Sequence, residues 1–226
     1  MRMMLNQSKN CARRRFRTLG SDTAGAAMVE FAFTAPILLV MGLFGIELAQ
    51  ASLMQTQLSQ TAISLADNAS RVGQNDNSGV APTISEAQVD ALLASAVRQA
   101  GNMDIAERGR IIISSVEYDA STGRQFIRWQ RCTGGLERES KYGDDGAKNG
   151  LTGAPIAGVG SSTNKAKAQA GTGVMFVEVI YDYDSLFDGA IGIDKMEYRQ
   201  EAAFQVRDDR DYSAGLTGGT TASPCD

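Results

Sequence analysis

Residues 26–51 read AAMVEFAFTAPILLVMGLFGIELAQA, and the uncharged run Phe31–Ile46 covers 16 positions between Glu30 and Glu47. Within it, ILLVMGLFGI (37–46) offers no polar side to a helix. A bilayer core about 30 Å thick needs about 20 helical residues. Ala26 to Ala49 supplies 24, enough if both glutamates lie near the interfaces. The pattern then narrows to a stripe. Ala51, Met54, Leu58, Ala62, Leu65, Ala69 and Val72 follow at spacings of 3 and 4, with Gln, Ser and Thr between them. A helix from Ala26 to Val72 would be about 70 Å long. Its narrow face suits either the chain's own sheet or neighbouring helices in an assembly.

Beyond it, GQNDNSGVAP (73–82) is turn-forming. Two overlapping capping boxes, Thr83-x-x-Glu86 and Ser85-x-x-Gln88, open a second helix. Its stripe is Val89, Leu92, Leu93, Ala96, Val97 and Ala100, and Gly101 stops it. Strands are predicted at 110–118 and 124–132, joined as a hairpin by 119–123, then at 174–183 and 196–207. In the third, Val177, Val179, Tyr181 and Tyr183 share a face. The intervening segment 133–173 is glycine-rich with few large apolar residues and reads as a long loop, while 208–226 reads as a flexible tail. The predicted fold class is α+β: a long N-terminal membrane-spanning helix continuing into a small domain (73–207) with a mostly antiparallel sheet.

Charge divides the chain of 226 residues. Net charge is −4 overall, but residues 1–25 carry +5 and the rest −9. That acidic body argues against nucleic acid as a partner. Histidine is absent, which removes His-based nucleophile systems and the usual general base. No catalytic residue, metal site, cofactor or small-molecule substrate is indicated. Cys11, Cys132 and Cys225 form no C-x-x-C pair. Asp182-x-Asp184-x-x-x-Asp188 outlines a calcium loop but lacks its third ligand and closing glutamate, so it reads as a solvated turn. The Gly153–Gly173 stretch spells no phosphate-cradling loop around Lys165. Trp129 among Arg124, Arg128 and Arg131 reads as a half-buried strand with outward cations.

With the cations all before the apolar run, the positive-inside bias places 1–25 as a cytosolic basic leader. The body then lies across the membrane. Three plainer readings stand beside this: a buried core helix, a secretory signal cut after Ala49-Gln50-Ala51, and an uncleaved anchor. Glu30 favours a more specific one. A carboxylate in a membrane helix costs on the order of 2.5–3.5 kcal/mol and calls for a partner. Cutting after Gly25 would create an α-amino group on Ala26, four residues before Glu30. Pro36 predicts a kink inside the span.

The string GAAMVEFAFTAPILLVMGLFGIELAQ (25–50) resembles the TadE-like pseudopilins of the tight-adherence (Tad/Flp) pilus system. Gly25, Glu30, Phe31, Pro36, Gly45 and Glu47 arrive in that family's order. The resemblance implies cleavage between Gly25 and Ala26 by a prepilin peptidase, with Ala26 a methylation candidate. Glu30 and Phe31 would serve assembly. The implied partners are the peptidase, other Tad pilins and pseudopilins, and the inner membrane. The implied location is inner membrane, single pass, with the C-terminal domain periplasmic. The alternative is a secreted or membrane-anchored periplasmic binding domain unrelated to pili. On this topology Cys132 and Cys225 face the oxidising side and Cys11 the reducing side, so a Cys132–Cys225 disulfide is expected.

Overall fold

The computed structural model describes residues 23–73, 81–160, 163–186, 195–207, 209–218 and 223–225. Helix α1 spans Thr23–Ser70, with Pro36 inside it. The chain divides into two compact units, one ending at Ala49 and the other covering Gln50–Asp226. In the first, the apolar stretch of α1 is long enough to cross a bilayer and none of it is buried.

The second unit is an α+β head. Strand β1 (Ile84–Ser85) leads directly into helix α2 (Glu86–Gln99). Of the two candidate capping boxes, the Ser85–Gln88 pair forms: the Ser85 hydroxyl accepts from the Gln88 N–H, and the Gln88 side chain accepts from the Ser85 N–H. A single turn, α3 (Ile105–Arg108), precedes the sheet. Four strands follow: β2 (Gly109–Asp119), β3 (Arg124–Thr133), β4 (Gly173–Tyr183) and β5 (Met196–Gln205). They pair antiparallel throughout in the order β3-β2-β4-β5. The hairpin register shifts between Ser115 and Val116, which marks a bulge. A short β6 (Leu216–Thr217) pairs parallel with β1.

Strand alternation sends one set of side chains to each face of the sheet. Met175, Val177, Val179, Tyr181 and Tyr183 of β4 join the main core with Leu58, Ala62, Leu65 and Ala69 of α1 and Val89, Leu93 and Ala96 of α2. The stripe at 51–72 therefore packs on the chain's own sheet. Each fully buried leucine or valine there contributes about 1.5–3 kcal/mol.

The opposite face is covered as well. Val116, Ile127, Val174 and Phe176 pack with Val159, Ala168 and the flanking Tyr142 and Ile156. Segment 133–173 is thus a second layer lying on the sheet, though it carries only isolated bridges, Gln125 with Ile156 and Val159 with Ala166. It also closes an edge. Outward N–H groups of β3 donate from Ile127 to the Asn149 carbonyl (2.9 Å) and from Gln130 to Asp145 (3.1 Å), and Cys132 donates to the Ser223 carbonyl (2.9 Å).

The expected flexible tail is different in its described part. Arg210 is buried, Tyr212 packs on the main core, and β6 completes the small sheet. Arg210 donates to the carbonyls of Ala69 and Val72, and the Tyr212 hydroxyl accepts from the Gly173 N–H, long-range contacts that local composition does not encode.

Candidate functional site

The N-terminal candidates all lie on α1. Gly25, Ala26, Glu30, Phe31 and Pro36 are exposed, Phe31 at 68%. One helical turn separates Ala26 from Glu30, so the two share a face. A Cβ built on Gly25 would meet nothing within 4 Å, and the same holds for Gly42 and Gly45. Glycine in a helix interior costs about 0.5–1 kcal/mol relative to alanine. No contact among the described residues accounts for that cost at these positions.

Pro36 has no N–H for the carbonyl of Ala32. One residue pair earlier, the Thr34 hydroxyl donates back to the Glu30 carbonyl at 3.0 Å. Met28, Phe33, Leu38 and Met41 each remain more than 60% exposed, so this stretch presents apolar surface around its circumference. Glu47, unlike Glu30, is buried.

In the head, Cys132 and Cys225 are joined by a disulfide with Cα atoms 4.9 Å apart. The bridge packs near Ile112, Ile180 and Leu136 and ties the end of the chain to β3.

The charged groups singled out in the sequence mostly serve the fold. Trp129 is buried in the main core. Arg128 pairs with Glu117 at 3.0 Å and lies over the Phe126 ring. Arg131 donates to Glu86 (2.9 Å) and Asp145 (3.1 Å), while Arg124 donates to the Leu151 carbonyl (3.1 Å). Asp182 faces Arg138 at 3.8 Å, and Asp184 faces Arg108 and Lys195. Asp188 lies outside the described residues. Among the described residues no group of three or more His, Cys, Asp or Glu could hold a metal.

Three groups that sequence reasoning did not single out, Glu178, Tyr142 and Arg210, make long-range polar contacts in the head. Glu178 of β4 has no exposed surface; it accepts from Arg199 at 2.6 Å and from the Lys141 N–H at 3.4 Å. Burial pushes its carboxyl above the usual range, and Ser140 and Arg199 pull back in part. Tyr142 places its hydroxyl 2.9 Å from both the Gly160 carbonyl and the Glu201 carboxylate, and accepts from the Gly160 N–H at 3.1 Å. Burial first, then Glu201, pushes this phenol up to about 12. Arg210 donates to the carbonyls of Ala69 (3.2 Å) and Val72 (2.7 Å), beyond the last turn of α1 and at its end. A cation at a helix C-terminus satisfies orphan carbonyls and complements the dipole. One signal was available for Glu178: it is the lone charge in GVMFVEVIY, on the face of β4 opposite the main core.

Among the described residues, an N-terminal helix long and apolar enough to cross a membrane is followed by an α+β head. Residues 25–71 match the family described as TadE-like protein, so this N-terminal segment is similar to that family. The match begins on Gly25 and ends one residue beyond α1. No curated protein and no solved structure is significantly similar to the chain.

Proposed function

We propose that this chain is a minor pseudopilin-like component of a Tad-type pilus assembly machine, with a structural role and no catalysis of its own. In this reading a prepilin peptidase cuts between Gly25 and Ala26 at the cytosolic face of the inner membrane. The helix then spans the membrane once, with the head on the periplasmic side. Other Tad pilins and pseudopilins supply the surfaces that the apolar half of α1 lacks within its own chain.

The observation that carries this reading is the TadE-like match over 25–71, which opens on a glycine with free space around its Cα. A substrate residue read by a peptidase pocket needs to be small for the enzyme's sake, not for its own packing. Removal of the leader takes away the +5 segment and leaves an ammonium on Ala26 facing Glu30. In a low-dielectric setting an unpaired Glu30 costs several kcal/mol, and the new amine, from the same or a neighbouring subunit, relieves most of it. The pair would give docking helices a preferred axial register.

N-terminal sequencing of the membrane-fraction protein tests the proposal. Ala26 as first residue supports it. Ser52 would identify a secretory signal and Met1 a plain anchor, and either result overturns it. Gly25→Leu should block the cut and leave a species larger by about 2.8 kDa at roughly 110 Da per residue.

A further inference from the structure

We propose that the end of the head formed where β4 finishes and β5 starts rests in the bilayer interface, with its exposed apolar side chains among the lipid headgroups. The inference rests on the proposed single crossing by α1. It adds to that crossing a second, shallow contact made by the head itself.

Among its described residues the head leaves four large aliphatic side chains well exposed: Leu53 (62%), Ile63 (47%), Leu186 (59%) and Met196 (45%). All but Ile63 fall at one end. Arg210 reaches both the Ala69 carbonyl (3.2 Å) and the Met175 sulfur (3.9 Å), so β4 begins beside the last turn of α1. The Arg207 N–H donates to the Ser70 carbonyl at 3.3 Å, so β5 finishes there too. From Met175 to Tyr183, β4 advances about 26 Å at ~3.3 Å per residue. From Ala69 back to Leu53, α1 covers about 24 Å. Ala51 and Met54 still pack on the main core, so the helix follows the sheet over that length. Tyr183 pairs with Met196. Leu186 and Met196 therefore lie toward the Leu53 end of the head, the end from which α1 continues into its apolar run.

Height selects lipid as the partner. Ala26 to Ala49 is 24 residues, about 36 Å of helix, against a hydrocarbon core of about 30 Å. Leu53 is one turn further, about 6 Å beyond Ala49, and the headgroup layer is itself about 5–7 Å deep on each side. An exposed leucine at that height meets the interface before it meets bulk water.

The surrounding chemistry fits a shallow contact. The Tyr198 hydroxyl donates to the Met196 sulfur at 3.5 Å, and its ring lies 5.6 Å from that of Tyr183. Tyrosines, apolar in body and polar at the tip, favour the headgroup level. Charge at this end is balanced rather than cationic. Asp184 pairs with Arg108 and Lys195, while Arg138 pairs with Glu197 (2.7 Å) and faces Asp182 at 3.8 Å. Glu107 and Glu137 adjoin those two arginines in the chain. Apolar burial, not attraction to anionic lipid, is thus the driving force.

Site-specific fluorescence in phosphatidylcholine nanodiscs tests this on the full chain, with Cys11→Ser and the Cys132–Cys225 bridge intact. An environment-sensitive nitrobenzoxadiazole is placed singly on Leu53→Cys and Met196→Cys at the rim. Comparison sites are Ile63→Cys, about 15 Å further along α1, and Val40→Cys within the crossing. Both rim labels should be quenched by lipid carrying a doxyl group near its headgroup. Their iodide quenching constants should be at least ~threefold below that of Ile63→Cys. The Trp129 unfolding transition is recorded for each variant, so that a label exposed by loss of fold is recognised. A Val40→Cys label inside the bilayer with a Met196→Cys label as open to iodide as Ile63→Cys overturns this inference and leaves the crossing standing. A Val40→Cys label outside the bilayer removes the crossing, and this inference with it. Iodide protection at Met196→Cys without quenching by lipid means that protein covers the rim, which overturns the lipid assignment. Exchanging part of the phosphatidylcholine for phosphatidylglycerol should change neither signal, and a requirement for the anionic lipid would overturn the apolar argument.

Discussion

Arg210 is the residue on which the packing of the last segment against α1 can be tested. Its guanidinium is buried and donates to the carbonyls of Ala69 and Val72, at the point where α1 has run out of its own amide donors. Arg210→Met keeps an unbranched stem against Met175 but deletes both hydrogen bonds. A hydrogen bond from a charged donor contributes about 1.5–3 kcal/mol, and leaving a buried acceptor unsatisfied adds to the loss. The two bonds share one side chain and do not add fully, so about 3 kcal/mol is expected. For a head of this size each kcal/mol lowers the midpoint by about 2–4 °C, so Tm should fall by ~6–12 °C. The single tryptophan, Trp129, is buried in the main core and reports unfolding of the full chain in micelles by its emission shift. Arg207→Met is the control: its guanidinium is only 4.0 Å from Asp67 and half exposed, so a change under about 1 kcal/mol is expected. A fall of less than ~2 °C in Arg210→Met, or equal falls in both variants, would refute the capping argument.

Glu30→Gln should leave insertion and processing nearly intact while reducing surface pili and crosslinked complexes with other pilins; normal levels of both would mean the carboxylate is merely tolerated. Cys132 and Cys225 should resist alkylation until reduced, and replacing both by serine should cost up to about 4–5 kcal/mol for a separation of 93 residues. Mass spectrometry that finds both thiols alkylated without reduction would count against the bridge. Tyr142 should ionise near pH 12, above the ordinary tyrosine value near 10, and that step should vanish from the tyrosinate absorbance titration of Tyr142→Phe. Because its folded-state pKa lies above the unfolded value near 10, its stabilising contribution is whole below pH 10 and is lost as pH rises through 12. A titration in which the variant and the parent coincide would contradict the clasp.

What could be read from the chain alone divides along the range of the signal. The stripes on α1 and α2, the Ser85 cap and the strands are written in spacings of two to four residues, and each needs only its own neighbours to be recognised. The outer layer was legible only as an absence of apolar periodicity. Residues 133–173 hold to the sheet through side-chain and carbonyl contacts at large separation, such as Gln125 with Ala168 (2.8 Å) across 43 positions. A stretch that buries Val159 and half-buries Tyr142 and Ile156 singly, among glycines, has no period to detect. The same holds for Arg210, which looks like any other charge in a polar tail until the end of α1 is brought beside it, 138 positions away from Val72.

The proposed N-terminal site rests on the opposite kind of signal. Gly25, Glu30, Phe31 and Pro36 stand in a short fixed order, and the chain's own fold does nothing to explain them: they are exposed, and the glycine has open space. Features of an isolated chain that cost free energy and receive no compensation inside it point to compensation elsewhere. An uncovered apolar helix costs about 25 cal/mol per Å² in water, helix-interior glycines cost about 1 kcal/mol each, and Glu30 costs more still in a bilayer. In the head the opposite rule holds, since Glu178, Glu117 and Arg210 each have partners within their own unit. The boundary at Ala49 therefore falls between a segment whose large apolar side chains are exposed and a head that buries its own core. Anchor variants should accordingly alter assembly and leave the unfolding midpoint of the head unchanged. A Gly42→Leu or Gly45→Leu chain that loses pili while keeping its Trp129 transition is the expected outcome, and a head destabilised by either change would break the distinction.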